Sequence, residues 1–264
     1  MANTSSSVRI HKSLADGASL WLLLCAALSM LILAFTPPAQ SAEIGAVKKV
    51  LGDAYGTPPQ DTRARKYARD NVFHDELIET HGGAATLIEF DDETRLFVGS
   101  DSSMMLDEMV YDPSGTNNAM VVNLMQGAFR FVSGNIGSAN VTLNTPSAQI
   151  GIRGSEAIIF VAKNGDTTIN VLKGTFSVRS ITDGSMDSID VTPNQNVTVS
   201  ATGITDVRPG VHIPETVTGQ FSRDYNNVVA PGSSFDNADN GPVSSYGDTS
   251  GSSSSSSGSS GSSY

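Results

Sequence analysis

The chain has 264 residues, a net charge of −11 at neutral pH and a single cysteine. That acidity argues against nucleic acid and anionic lipid as partners, since both repel such a surface. One thiol allows no disulfide framework, and because Cys25 lies in an apolar run near the N-terminus it offers no nucleophile to a downstream domain.

Arg9 and Lys12 precede an apolar run from Ala18 to Phe35, followed by Thr36-Pro37-Pro38 and the small residues Ala39-Gln40-Ser41-Ala42. A basic start, an apolar centre and a small-residue site form the pattern of a secretory signal peptide. The expectation is a signal peptide over residues 1–42, cleaved near Ser41/Ala42, and a periplasmic or secreted protein. An uncleaved anchor is the alternative, because a span needs about 20 apolar residues, and only then is the membrane a partner. Leu24 before Cys25 and the apolar continuation after it speak against lipidation. Removing residues 1–42 takes away Arg9, Lys12 and Asp16, which leaves −12.

From residue 43 to 210 the sequence reads as short strands separated by turn residues. Ile88 and Phe90 alternate with Leu87 and Glu89, Asp91-Asp92-Glu93 turns the chain, and Leu96 and Val98 resume. The pattern continues through Met104, Leu106, Val122, Leu124, Phe129 and Phe131, with breaks at Pro113-Ser114-Gly115 and Gly127. Later pairs are Ile169/Val171, Phe176/Val178, Ile189/Val191 and Val197/Val199, bounded by Asn164-Gly165, Lys173-Gly174, Asp183-Gly184 and Pro193-Asn194. Period-two runs between such turns predict antiparallel strands joined by hairpins. The fold class is all-β, a single domain forming a twisted β-sandwich or roll or a short β-solenoid. Residues 61–76 lack an apolar stripe at helical spacing and read as polar strand and loop. Residues 211–230 read as a linker, with Phe221, Tyr225, Val228 and Val229 available to dock on the domain. Residues 231–264, rich in Ser, Gly, Asn and Asp, have too little apolar surface to offset chain entropy and read as a disordered tail.

Several short motifs occur in a fixed order: Asp75–Thr80, Ala85–Leu96, Leu124–Phe129, Thr145–Ala148, Ile152–Glu156, Val171–Phe176 and Val191–Gln195. Together they resemble the FecR domain, over roughly residues 44–208. The resemblance implies an extracytoplasmic all-β module of the kind found in regulators that relay iron-siderophore signals. Two positions depart from the family pattern: Asp92-Glu93-Thr94 stands where Asp-Gly-Ser is usual, and Ser155 replaces a threonine. The signal-relaying relatives carry a tryptophan-containing cytoplasmic region before a membrane helix. Here the one tryptophan, Trp21, lies inside the apolar run, so direct control of a sigma factor is not expected.

The candidate structural or binding residues are Arg153, Gly151, Gly154, Glu156, Pro146 and Gly174. Arg153 offers five donors in a fixed fork, suited to a carboxylate or sulfate. Its more economical role is an internal tie to Glu156 or another acid across the sheet. Gly151 and Gly154 would provide positive φ or close packing. Asp70, His74, Asp75, Glu76, Glu79 and His81 have metal-ligand chemistry but no recognised spacing, and read as a solvated acidic edge. Asp91-Asp92-Glu93 and Asp107-Glu108 read as turn and surface carboxylates. No nucleophile elbow is present, and His74, His81 and His212 sit in polar contexts. Phe129 and Phe131, flanking Arg130, read as core. No catalytic residue, metal or cofactor is expected. The leading expectation is an exported, non-enzymatic protein that binds an envelope or secreted protein through a strand edge or surface. Alternatives are a small-molecule or carbohydrate module built on Arg153, and a membrane-anchored signal relay.

Overall fold

The computed structural model describes residues 21, 41–114, 118–136, 140–153, 155–184, 187–214 and 218–228. Of residues 1–42, expected as a signal peptide, all but Trp21, Ser41 and Ala42 lie outside the described residues, as do residues 231–264.

Among the described residues, eighteen strands make two sheets. The first contains β1 (Glu43–Leu51), β4 (Asn71–Phe73), β6 (Ala85–Phe90), β7 (Arg95–Val98), β12 (Glu156–Val161), β13 (Thr167–Lys173), β16 (Gln195–Ser200), β17 (Gly203–Ile204) and β18 (Arg208–Pro209). The second contains β2 (Ala54–Thr57), β3 (Ala64–Arg65), β5 (Glu76–Thr80), β8 (Ser103–Val110), β10 (Val141–Asn144), β11 (Ala148–Ile152), β14 (Phe176–Ser180) and β15 (Ser188–Val191). The long strand β9 (Ala119–Val132) belongs to both. Its first half pairs with β8 and β10 in the second sheet, and its second half with β7 and β12 in the first.

The first sheet runs β4-β1-β6-β7-β9-β12-β13-β16, with β17 and β18 on β16. The second runs β3-β2-β5-β8-β9-β10-β11-β14-β15. From β6 onward, successive strand pairs cross from one sheet to the other, so the chain winds around the space between them. The all-β expectation is met, with one difference in detail: β9 and β10 pair in parallel.

Gly127, read as a strand break, is instead where β9 passes from one sheet to the other. Its φ is +116°, and a Cβ there would collide with Ser102, lying 2.6 Å from the Ser102 Cα. Only glycine fits such a bend.

The inner faces enclose one apolar core that includes Ile78, Leu96, Met104, Leu124, Phe129, Phe131, Leu143, Ile150, Ile159 and Phe176, all fully buried. Strand alternation places Phe129 and Phe131 inside and Arg130 on the opposite face of the first sheet. That outer face is itself apolar, carrying Ala85, Leu87, Phe97, Ala128, Ile158 and Phe160. It is covered by helix α1 (Thr218–Val228), which buries Phe221, Tyr225 and Val228. Their i, i+4, i+7 spacing puts all three on one helix face. Phe97 and Phe160 meet Phe221 edge-on at 5.5 and 5.4 Å, and Phe97 meets Tyr225 at 5.3 Å. Residues 61–76 form two short strands and loops.

Candidate functional site

Two neighbouring corners account for the motifs around Arg153 and Gly174. β11, ending at Ile152, lies in the second sheet and β12, starting at Glu156, in the first, so the chain changes sheets between them. The connection at Gly174 carries it back from β13 to β14. Lys173-Gly174, expected as a hairpin turn, is therefore a corner between sheets, with Gly174 at φ +85°. The two corners lie side by side: Arg153 N–H donates to Thr175 O at 2.9 Å and Ser155 N–H to Lys173 O at 3.1 Å. Gly154 lies outside the described residues.

Glu156 is tied by Arg130, and not by Arg153. The Arg130 Nε donates to Glu156 Oε1 at 2.6 Å, and its Nη2 reaches the same oxygen. Both side chains are buried. The Tyr225 ring of α1 covers the guanidinium, 4.6 Å from Cζ to the ring centre. The pair sits on the outer face of the first sheet, sealed by the helix. Arg153 is exposed, and its side chain has no partner among the described residues. Gly151 meets neither expectation set for it. Its φ is not positive, and an added Cβ would find only ordinary contact with Ser177 at 3.9 Å.

Pro146 is exposed in the β10–β11 hairpin, between the buried residues Thr145 and Ser147. Thr145 Oγ1 accepts the Ala148 N–H at 2.9 Å and the Thr167 hydroxyl at 2.8 Å. Ser147 Oγ lies 2.9 Å from Thr167 Oγ1 and 3.1 Å from the Val199 carbonyl. These hydroxyls join the hairpin of the second sheet to β13 and β16 of the first. Their role is to fix the two layers together.

The acidic edge resolves into separate ties. Glu79 accepts from Arg63 Nε at 2.8 Å, and Arg63 Nη2 donates to His81 Nε2 at 2.6 Å. His74 lies 3.0 Å from Asp75. Glu76 corrects the surface reading, being fully buried and paired with Lys66 at 2.6 Å. Burial pushes its carboxyl above the ordinary range, against the opposing pull of Lys66. Asp92 corrects the turn-and-surface reading in the same way. It is buried, and accepts from Thr94 Oγ1 at 2.6 Å, Thr94 N–H at 3.0 Å and Ile136 N–H at 3.2 Å. Among the described residues no three His, Cys, Asp or Glu side chains are grouped to hold a metal.

The outer face of the second sheet carries a row of linked polar side chains that sequence reasoning missed. Asn123 donates to Asp107 at 3.1 Å, Asn144 to Asn123 at 3.0 Å, Gln149 to Asn144 at 3.4 Å, and Arg179 to Gln149. The row crosses five adjacent strands, β8, β9, β10, β11 and β14. Outward polar residues at alternating positions were visible in the sequence, but only the register aligns them. At the end of this sheet, β15 pairs only with β14 among the described residues, which leaves one edge of backbone groups open.

Two crossing sheets around one core, with polar groups spent on ties, define an all-β module. Residues 76–177, from β5 into β14, match the family model described as FecR protein, in line with the resemblance carried by the motifs. No curated protein matches the chain. Two crystal structures of a protein from Parabacteroides distasonis, described as a candidate anti-sigma factor, are similar to it. They are 14% and 15% identical, with TM-scores of 0.44 and 0.43, and each alignment covers 57% of this chain and 74% of the other. Among the described residues no helix is long and apolar enough to cross a membrane.

Proposed function

We propose that this chain is an exported, non-enzymatic module of the bacterial envelope that acts by binding another envelope or secreted protein. The FecR match over residues 76–177 carries this reading. It is supported by the use made of the titratable side chains: Arg130, Glu156, Lys66, Glu76 and Asp92 are buried in ties that hold strands and turns. The recognition element is the open edge of β15, where unpaired N–H and C=O groups can take up a partner strand. Export follows from the N-terminal basic and apolar pattern.

Fractionation followed by N-terminal sequencing tests the compartment. The mature protein is expected to begin at Ala42 or Glu43 in the periplasmic or secreted fraction. Full-length protein retained in the cytoplasm contradicts export. Affinity capture from envelope extract tests binding, and a partner that competes saturably is the expected result.

A further inference from the structure

A cleft of about 460 Å³ opens beside Gly56, walled by Pro58, Asp61, Thr62, β3 and, further on, by Lys66, Arg69, Asp70, Asn71 and Phe73. Four of the seven residues from Arg63 to Arg69 are basic, in a chain whose net charge is −11. Three of these cations have acidic partners: Arg63 with Glu79, Arg65 with Asp53 and Lys66 with Glu76. Arg69 has none. Its exposed side chain lines the cleft and makes no hydrogen bond or ion pair among the described residues.

The backbone presents Arg69 at a cost. Its φ is +80°, left-handed for a non-glycine residue, and it is held there by its N–H donating to Val47 O at 2.7 Å. Strain of this kind recurs where a side chain must be aimed at a ligand. The buried Lys66 side chain also lines the cleft, its ammonium ion-paired with Glu76 Oε1 at 2.6 Å and donating to Asn71 O at 2.7 Å. An ammonium has three donors, and the hydrogen bond to Asn71 O takes one of them. Gly56 makes room for this group, because a Cβ there would overlap Lys66 Cε and Glu76 Oε1. The two carboxylates on the wall are engaged by their own loops: Asp61 accepts the Thr62 N–H at 2.6 Å and Asp70 the Tyr67 N–H at 2.7 Å.

We propose that this cleft binds the oxyanion group of a small molecule, a carboxylate or a phosphate, between the Lys66 ammonium and the Arg69 guanidinium. Arg69 supplies a planar fork that matches either group in two parallel hydrogen bonds. Phe73, half-buried in the wall, offers an apolar surface to the rest of the ligand.

Calorimetric titration of the purified chain with inorganic phosphate, pyrophosphate and succinate tests this, the phosphates and the dicarboxylate separating the two sources of oxyanion. At least one probe is expected to bind saturably at one site. Arg69→Gln, which keeps a non-glycine residue at the same backbone angle, is expected to weaken that binding by about tenfold or more, the loss typical of a charge-assisted hydrogen bond. Arg153→Gln removes the same charge outside the cleft and is expected to bind as the parent does. No saturable binding of any probe in the millimolar range overturns the proposal. So does unchanged affinity in Arg69→Gln, or an equal loss in both variants.

Discussion

Arg130 reaches across from β9 to β12 and holds Glu156 on the outer face of the first sheet, with Tyr225 laid over the guanidinium. This contact joins three parts of the chain far apart in sequence and places a charged pair beneath the helix. Removing one partner leaves the other buried and uncompensated. Glu156→Leu or Arg130→Met is therefore expected to cost about 3–5 kcal/mol. The double variant Arg130→Met/Glu156→Leu is expected to recover much of that loss. Urea denaturation of the four proteins gives the coupling directly.

Glu93 occupies the turn between β6 and β7 at φ +68°, where the FecR motif usually has glycine. A left-handed L-residue costs roughly 1–2 kcal/mol, and glycine gives back part of this through unfolded-chain entropy. Glu93→Gly is expected to stabilise the fold by about 0.5–1 kcal/mol, although it loses the exposed bond from Asn135 to Glu93 at 3.1 Å. A thermal melt checks this, with a rise of roughly 1–3 °C expected.

Two glycines that look alike in sequence should respond in opposite ways. Gly127→Ala drives a Cβ into Ser102 at a bend of positive φ, and a loss of about 3 kcal/mol or more is expected from clash and strain together. Gly151→Ala meets only ordinary contact with Ser177 at 3.9 Å on a regular strand and is expected to change stability by less than about 0.5 kcal/mol or to raise it slightly. Equal losses at the two positions would contradict the sheet-to-sheet bend.

Asp224 lies on α1, buried, and burial pushes its carboxyl above the ordinary value; Asp101 adds to this and Arg223 opposes it. Burial also raises Glu76, and it raises Asp91 beside Asp92. A raised carboxyl holds its proton longer in the folded state, so its contribution favours folding at low pH and is lost as pH rises through the raised value. Glu89 acts in the opposite sense. Burial raises it, but Lys48 at 2.7 Å and Arg95 at 2.8 Å outweigh that and hold it below its ordinary value, so its contribution is lost as pH falls. Asp224→Asn isolates one group. The variant is expected to melt above the parent at pH 7, with the difference closing below about pH 4, where aspartate is protonated in both states.

Local pattern was enough to identify the strands. The alternation of Phe129, Arg130 and Phe131 correctly sends the two rings into the core. What sequence could not give was register between distant strands. Arg130 and Glu156 are 26 residues apart and meet only because β9 lies beside β12, so the nearer Arg153 looked like the natural partner. Gly174 shows a second limit, since a hairpin and a corner both call for positive φ and differ only in which sheet follows. Glu76 and Asp92 were read as surface acids because a carboxylate carries no local sign that a lysine or a ring of N–H donors will bury it. Helix α1 rests on three apolar residues in an otherwise polar stretch, a signal too sparse to separate from a linker.

Capture of an envelope protein through the β15 edge is the central functional expectation. In an antiparallel pair, alternate residues turn their backbone groups toward and away from the neighbour. Of Ile189 and Asp190, one N–H therefore faces β14 and the other faces solvent. Proline at the outward position preserves the fold and blocks the edge. Quantitative capture from envelope extract is expected to recover a specific, competable protein with the parent chain and to lose it with whichever proline variant keeps the parent's melting temperature. Equal recovery with that variant, or no competable protein with the parent, would contradict the claim.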